Sequence, residues 1–289
     1  MLIICQHRLS GLYATGFHIM RWKLKLSTVA IVVAGIVAST LSVNAIAGFP
    51  TKQQPVHVTN FTGKMSGGTN NGFVSLTYPI TVESGYDSRK FFYSQSGTFK
   101  NQTADKEAYY NGVQPQGNGI GQFVFSLFGG KGAHVIDTQH CRQGADNYAI
   151  GGVSCAIKLP YTQGVTYNFT AYLKSHTETD NVWVGEVEDT STGIKTQIGS
   201  WSTPASIGYL SGQSIGFIED YVALMSCNEI PETTALFGGP KGLQENDSLE
   251  YSGSISKAYA VAQCKGKVAF TSEKLPDGGL RVAQQQGVD

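Results

Sequence analysis

The chain has 289 residues, with 21 Lys+Arg balanced by 21 Asp+Glu and only 15% charged residues overall. That balance is the wrong footprint for a nucleic-acid-binding protein, which would concentrate cations on one face. The 41% apolar content, 35 glycines and 14 each of Tyr and Phe indicate a chain able to bury a sizeable core, with frequent turns.

The first element in chain order is a leader. Arg21, Lys23 and Lys25 precede a long apolar run, and Ala45-Ile46-Ala47 places small residues where a signal peptidase would cut. Residues 1–47 therefore read as an upstream extension and a cleaved signal peptide, with no membrane span left after cleavage. The leader carries four basic residues (Arg8, Arg21, Lys23, Lys25) and no acidic one, so residues 48–289 have a net charge of −4. The expected location is secreted, either extracellular or periplasmic.

After the leader the dominant signal is alternation with a period of two. In "FVSLTYPITV", Val74, Leu76, Tyr78, Ile80 and Val82 share one face, as in a half-buried strand. Pro79 cannot donate to a ladder and marks an edge or a bulge there. "AYYNGVQPQG" follows, and then "FVFSLF", which is apolar on both faces and reads as a central strand covered on both sides. The succeeding "GGKG" lacks the Lys-Ser/Thr pair and the helix of a phosphate-binding loop, so it reads as a turn built on Gly129, Gly130 and Gly132. In "VTYNFTAYL", Val165, Tyr167, Phe169, Ala171 and Leu173 point inward. "NVWVGEVE", "IKTQIGSW", "SIGFIEDYV" and a C-terminal group within residues 250–284 continue the style. No amphipathic helix of useful length occurs. The expected fold is all-β: one antiparallel β-sandwich domain over residues 48–289, of jelly-roll (concanavalin-like) type.

Cys5 leaves with the leader, and Cys141, Cys155, Cys227 and Cys264 remain. In an oxidising compartment four cysteines imply two disulfides with three possible connectivities. Pairing neighbours in sequence, Cys141–Cys155 and Cys227–Cys264, closes the short loops and is the preferred expectation. A zinc site built from His134, His140, Cys141 and Cys155 fits no common ligand spacing. No metal or cofactor is expected.

The segments "AYYNGVQPQGNGIGQFVFSLFGG", "YTQGVTYNFTAYL", "VWVGEVEDTSTGIKTQIGSWSTP" and "SIGFIEDY" occur in that order. Over residues 109–221 this pattern resembles the secreted domain of unknown function 3472 family. The resemblance implies a β-sandwich in an extracellular or carbohydrate-related setting, and carries no catalytic residues. Lys131 stands where that family often has an acidic residue, and Cys141 and Cys155 are a local elaboration.

Candidate site residues come from three patterns. Tyr109, Tyr110, Gln114 and Trp183, with Asn111, Gln116, Asn118 and Trp201 nearby in sequence, offer rings to stack on sugars and amides to bond hydroxyls. Glu219 shares a strand face with Ile215, Phe217 and Tyr221, where a carboxylate could anchor a ligand or serve as a general acid. Glu186 and Glu188, two apart on one strand, would project together about 7 Å apart, inside the range of a glycosidase pair. The expected function is extracellular carbohydrate recognition, with a glycan as the partner. The alternatives are a glycan hydrolase or lyase using Glu186, Glu188 or Glu219, and a secreted effector or surface protein with a protein partner.

Overall fold

The computed structural model describes residues 56–288 apart from 68–70, 86, 89, 102–106, 131, 145–150 and 261–263. The leader and its cleavage point, and Lys131, lie outside the described residues. One compact unit, residues 45–289, contains every described element. No described helix is long and apolar enough to cross a membrane.

The described structure is nearly all antiparallel strand. Two ladders carry it. The first contains β1 (Val56–Met65), β3 (Phe91–Phe99), β4 (Ala108–Gly117), β5 (Ile120–Phe128), β7 (Cys141–Gln143), β8 (Gly152–Pro160) and β12 (Leu210–Asp220). Its spatial order is β7-β8-β5-β4-β3-β12-β1. The second contains β2 (Ser75–Ser84), β6 (His134–Val135), β9 (Thr166–His176), β10 (Asp180–Asp189), β11 (Ile194–Pro204), β13 (Thr233–Phe237), β17 (Phe270–Lys274) and β18 (Leu280–Gln284). Its order is β6-β11-β10-β9-β2-β13-β18-β17. Two short strands, β14 (Lys241–Leu243) and β15 (Tyr251–Ile255), join them: β14 pairs with β2 and β15, and β15 pairs with β1. A further pair of residues, β16 (Tyr259–Ala260), adds to β1. The result is one continuous, nearly closed, barrel-like sheet.

The alternation read from sequence sets the inner face. Leu76, Tyr78, Ile80 and Val82 of β2 and Tyr167, Phe169 and Ala171 of β9 are all buried in one core. Across the core, Phe125 of β5 stacks on Trp201 of β11 at 4.8 Å and 16°. It fits there because Gly185 of β10 has no Cβ; a methyl group at that position would overlap the Phe125 ring. Turn chemistry also follows the sequence. Asn118 and Gly119 both adopt positive φ (54° and 69°) between β4 and β5, the geometry that an Asn-Gly hairpin requires. Gly129, Gly130 and Gly132 have φ of 65°, 70° and 89°, the positive values that the turn expected there asks of its glycines.

Two expectations are corrected. β2 is an interior strand, not an edge, because β9 flanks one side and β13 and β14 the other. Pro79 is tolerated there because its missing N–H falls where the neighbouring strand breaks between β13 and β14; its carbonyl still accepts from Gly238 N at 2.9 Å. β5 is central, but only one of its apolar faces meets the core. Phe123, Phe125 and Leu127 are buried there, whereas Val124, Ser126 and Phe128 line a groove on the outside of the ladder.

Both disulfides take the sequence-local pairing, Cys141–Cys155 and Cys227–Cys264. The zinc alternative is thereby removed, since two of its four ligands are oxidised.

Candidate functional site

The outward face of the first ladder carries a groove of about 550 Å³. Its floor follows from strand register. One row crosses all seven strands, with Thr62, Ile215, Ser96, Tyr110, Ser126, Ser154 and Arg142 as successive cross-strand neighbours. Beside it lie Phe217 opposite Ser94, and Gly112 opposite Val124. A third row sets Glu219 against Phe92, and Gln114 against Gln122, which is in turn set against Lys158. Side chains two residues apart on a strand share a face, so these rows form a single surface.

Aromatic rings hold the floor together. Phe92, Tyr110, Val124 and Phe217 form a second buried cluster, separate from the main core, with Phe128 and Tyr221 packed against it. Phe92 meets Tyr110 and Phe217 edge-to-face at 5.8 and 5.7 Å, and Tyr110 lies 4.8 Å from Phe128. Edge-to-face pairing of this kind stabilises by about 0.5–1.5 kcal/mol beyond area burial. The amides are placed by each other: Gln122 Nε2 donates to Gln114 Oε1 at 2.8 Å, and Gln116 Nε2 donates to the Tyr221 hydroxyl at 3.2 Å. Glu219 is 9% exposed and is the sole carboxylate among the described residues lining the groove; Arg142 is the sole cation.

Three residues singled out from sequence therefore meet in one groove: Tyr110, Gln114 and Glu219. Two others do not. Trp183 is fully buried in the core and donates from its indole to Thr203 Oγ1 at 3.1 Å. Tyr109 is likewise fully buried, 2.9 Å from the Tyr78 hydroxyl, and burial pushes its phenol well above the ordinary value. Tyr109 points inward because it is one residue out of phase with Tyr110 in the groove row, and Trp183 because it lies on the inner face of β10 in the other ladder. Trp201, the cross-strand partner of Trp183, is also core, as is Asn111 at 1% exposed. Asn118 forms the β4–β5 turn.

Glu186 and Glu188 do share a face, as their spacing requires, but it is the outward face of β10 in the second ladder. Glu186 lies 3.8 Å from Lys195 Nζ, and Glu188 accepts from Asn168 Nδ2 at 3.1 Å. Neither lines the groove with Glu219.

Phe92, Phe128, Gln122 and Arg142 were not reached from sequence, and Phe217 only as a neighbour of Glu219 on its strand face. A signal for some of them existed. The doublets Phe91-Phe92 and Tyr109-Tyr110 each send one ring to the core and one to the groove, and "FVFSLF" is apolar on both faces for the same reason.

Asp220, next to Glu219, faces the opposite way, with its side chain wholly buried. Lys90 Nζ stands 3.4 Å from Oδ2, and Oδ1 accepts from Val222 N at 3.0 Å. Burial outweighs these contacts and pushes the carboxyl up to about 6, from an ordinary 3.8. The folded protein thus holds a proton that the unfolded chain has released. Stability from this group falls as pH rises from about 4 to about 6, by at most on the order of 3 kcal/mol. Asp220→Asn, which keeps the Oδ1 acceptor, is expected to remove that slope from a plot of unfolding free energy against pH. An unchanged slope would assign the pH dependence elsewhere.

Comparison with known proteins adds little to this geometry. No family model matches the chain, and no curated protein matches it. Among solved structures, scytalido-glutamic peptidase with a transition-state analogue inhibitor is 9% identical, with a TM-score of 0.44, over 78% of this chain and 97% of that one. The same peptidase with a peptide-based transition-state analogue gives 10% and 0.42 over 78% and 97%. SCP-B, a member of the Eqolisin family of peptidases in complex with the tripeptide Ala-Ile-His, gives 10% and 0.39 over 80% and 98%. At these identities and TM-scores the likeness carries no inference about activity.

Proposed function

We propose that the protein is a secreted β-sandwich of jelly-roll type that recognises a carbohydrate in the groove of the first ladder. The observation that carries this reading is the convergence of Tyr110, Gln114 and Glu219 in one groove with an aromatic floor. A volume of about 550 Å³ suits a small ligand, and a mostly apolar lining with a few placed polar groups is how such sites combine affinity with orientation. Amides and a carboxylate bond sugar hydroxyls, while rings meet the apolar faces of the sugar. The two disulfides are in keeping with an oxidising compartment. The resemblance over residues 109–221 belongs to the same reading.

Recognition is favoured over hydrolysis by one feature of the groove. Hydrolysis of a glycosidic bond commonly needs two carboxylates roughly 5–9 Å apart, and Glu219 is the only one among the described lining residues. Isothermal calorimetry against a panel of oligosaccharides is the test. Tyr110→Ala is expected to weaken the best ligand about tenfold, equivalent to about 1.4 kcal/mol. If no oligosaccharide binds at millimolar concentration, the reading fails. If Glu219→Gln abolishes a measured glycan cleavage, hydrolysis replaces recognition.

A further inference from the structure

The groove does not end at its aromatic part. A second hollow of about 430 Å³ continues it towards β1, lined by Thr62, Lys64, Thr98 and Gln213 among others, and the two share Ser96 and Ala108. The row from Thr62 to Arg142 runs beneath both. Six inter-strand steps along it span roughly 29 Å on a flat sheet. A chain-like ligand fits such a floor better than a single sugar.

The charges along this floor are unequal. Arg142 stands on β7 at one end and Lys64 on β1 at the other. Lys158 lies opposite Gln122, on the same face. No ion pair is formed by these three cations among the described residues, whereas Lys90, Lys195, Lys241 and Arg281 each have a carboxylate partner. Glu219 is the single opposing charge among the described lining residues.

Arg142 is also held in position. Its neighbour Cys141 is bonded to Cys155 across the ladder. Gln143 Nε2 donates to the carbonyls of both Ala133 and Gly152 at 2.9 Å. The backbone of this three-residue edge strand is thus fixed on both sides of Arg142, whose exposed guanidinium suits paired hydrogen bonding to a carboxylate.

Resting on the carbohydrate reading above, we infer that the ligand is an acidic oligosaccharide, a uronic-acid chain long enough to lie across both hollows, with Arg142 reading a carboxylate. A glycan is preferred to an acidic peptide because β12, β3, β4 and β5, which lie under the aromatic part of the groove, are each paired on both sides. There the floor offers side chains and no free backbone edge for strand addition; the open edge is confined to β7 and the end of β8 beyond it.

The test is calorimetry with oligogalacturonates from dimer to hexamer, neutral cello-oligosaccharides of the same lengths, and a polyglutamate peptide. Arg142→Gln and Lys158→Gln are compared with the parent protein. Both residues are exposed, and a thermal melt of each variant verifies its fold. The inference predicts affinity that rises with uronate length, falls with added salt, and drops about tenfold in Arg142→Gln. Neutral chains binding as tightly, with Arg142→Gln unaffected, would overturn the acidic ligand and leave the groove's carbohydrate reading intact. Polyglutamate binding without uronate binding would overturn both in favour of a peptide ligand. Silence from every probe would also remove the carbohydrate reading.

Discussion

Gly185→Val is expected to leave little folded protein, or to lower stability by more than about 3 kcal/mol, the upper end of ordinary overpacking. The reason lies in how the two ladders meet. A Cβ at position 185 would overlap Phe125, whose ring is held by stacking on Trp201 at 4.8 Å and whose side chain is fully buried. Trp201 in turn meets Phe99 at 6.4 Å, and Phe99 meets Trp183 at 5.8 Å, so displacement would spread through the largest rings of the core. Close-packed interiors transmit such strain instead of absorbing it. Gly193→Ala is the control. It sits in an open turn at φ 71° with nothing near its missing Cβ, so only the backbone penalty of about 1 kcal/mol is expected. Urea titration of both variants checks the pair. Equal losses would show that the inter-ladder contact contributes no more than backbone conformation does.

Loss of the Cys227–Cys264 bond is expected to cost about 4 kcal/mol on the chain-entropy model. The bond closes 37 residues, against 14 for Cys141–Cys155, where about 3 kcal/mol is expected. It also ties the segment after the first ladder to the C-terminal strands: both sulfurs are buried in the main core, Gly287 N donates to Ile230 O at 2.9 Å, and Val288 N donates to Lys267 O at 2.8 Å. The double variant Cys227→Ser/Cys264→Ser should therefore unfold at markedly lower denaturant than the parent, and at lower denaturant than Cys141→Ser/Cys155→Ser. The reverse order would mean that loop length is not the governing variable.

Much of the architecture was legible because β structure writes itself into sequence with a period of two. "FVSLTYPITV" and "VTYNFTAYL" each sort their residues onto two faces by alternation alone, and the glycines of "GGKG" mark a turn. The site was legible only in part, and for the same reason. Alternation says which residues share a face, but not whether that face meets the core or solvent. Tyr109 and Tyr110 were equal candidates until register separated them, and Trp183 looked like a ligand platform until the opposing ladder covered it. Glu186, Glu188 and Glu219 could be compared as carboxylates, but not assigned to different ladders. Pro79 misled because the break in its neighbouring strand is set by residues about 160 positions away, a distance no local pattern reports. Arg142 was invisible because its place beside Ser154 depends on a three-residue strand held by a disulfide.

Both proposals rest on the outer surface of the β3–β4–β5–β12 region being where a ligand sits. NMR shift mapping during titration with an acidic oligosaccharide locates that ligand directly. The account predicts that amide and side-chain signals of Tyr110, Gln114, Gln122 and Arg142 move together and saturate with one affinity. Shifts confined to the outward face of β9 and β10, around Glu186 and Glu188, would contradict it.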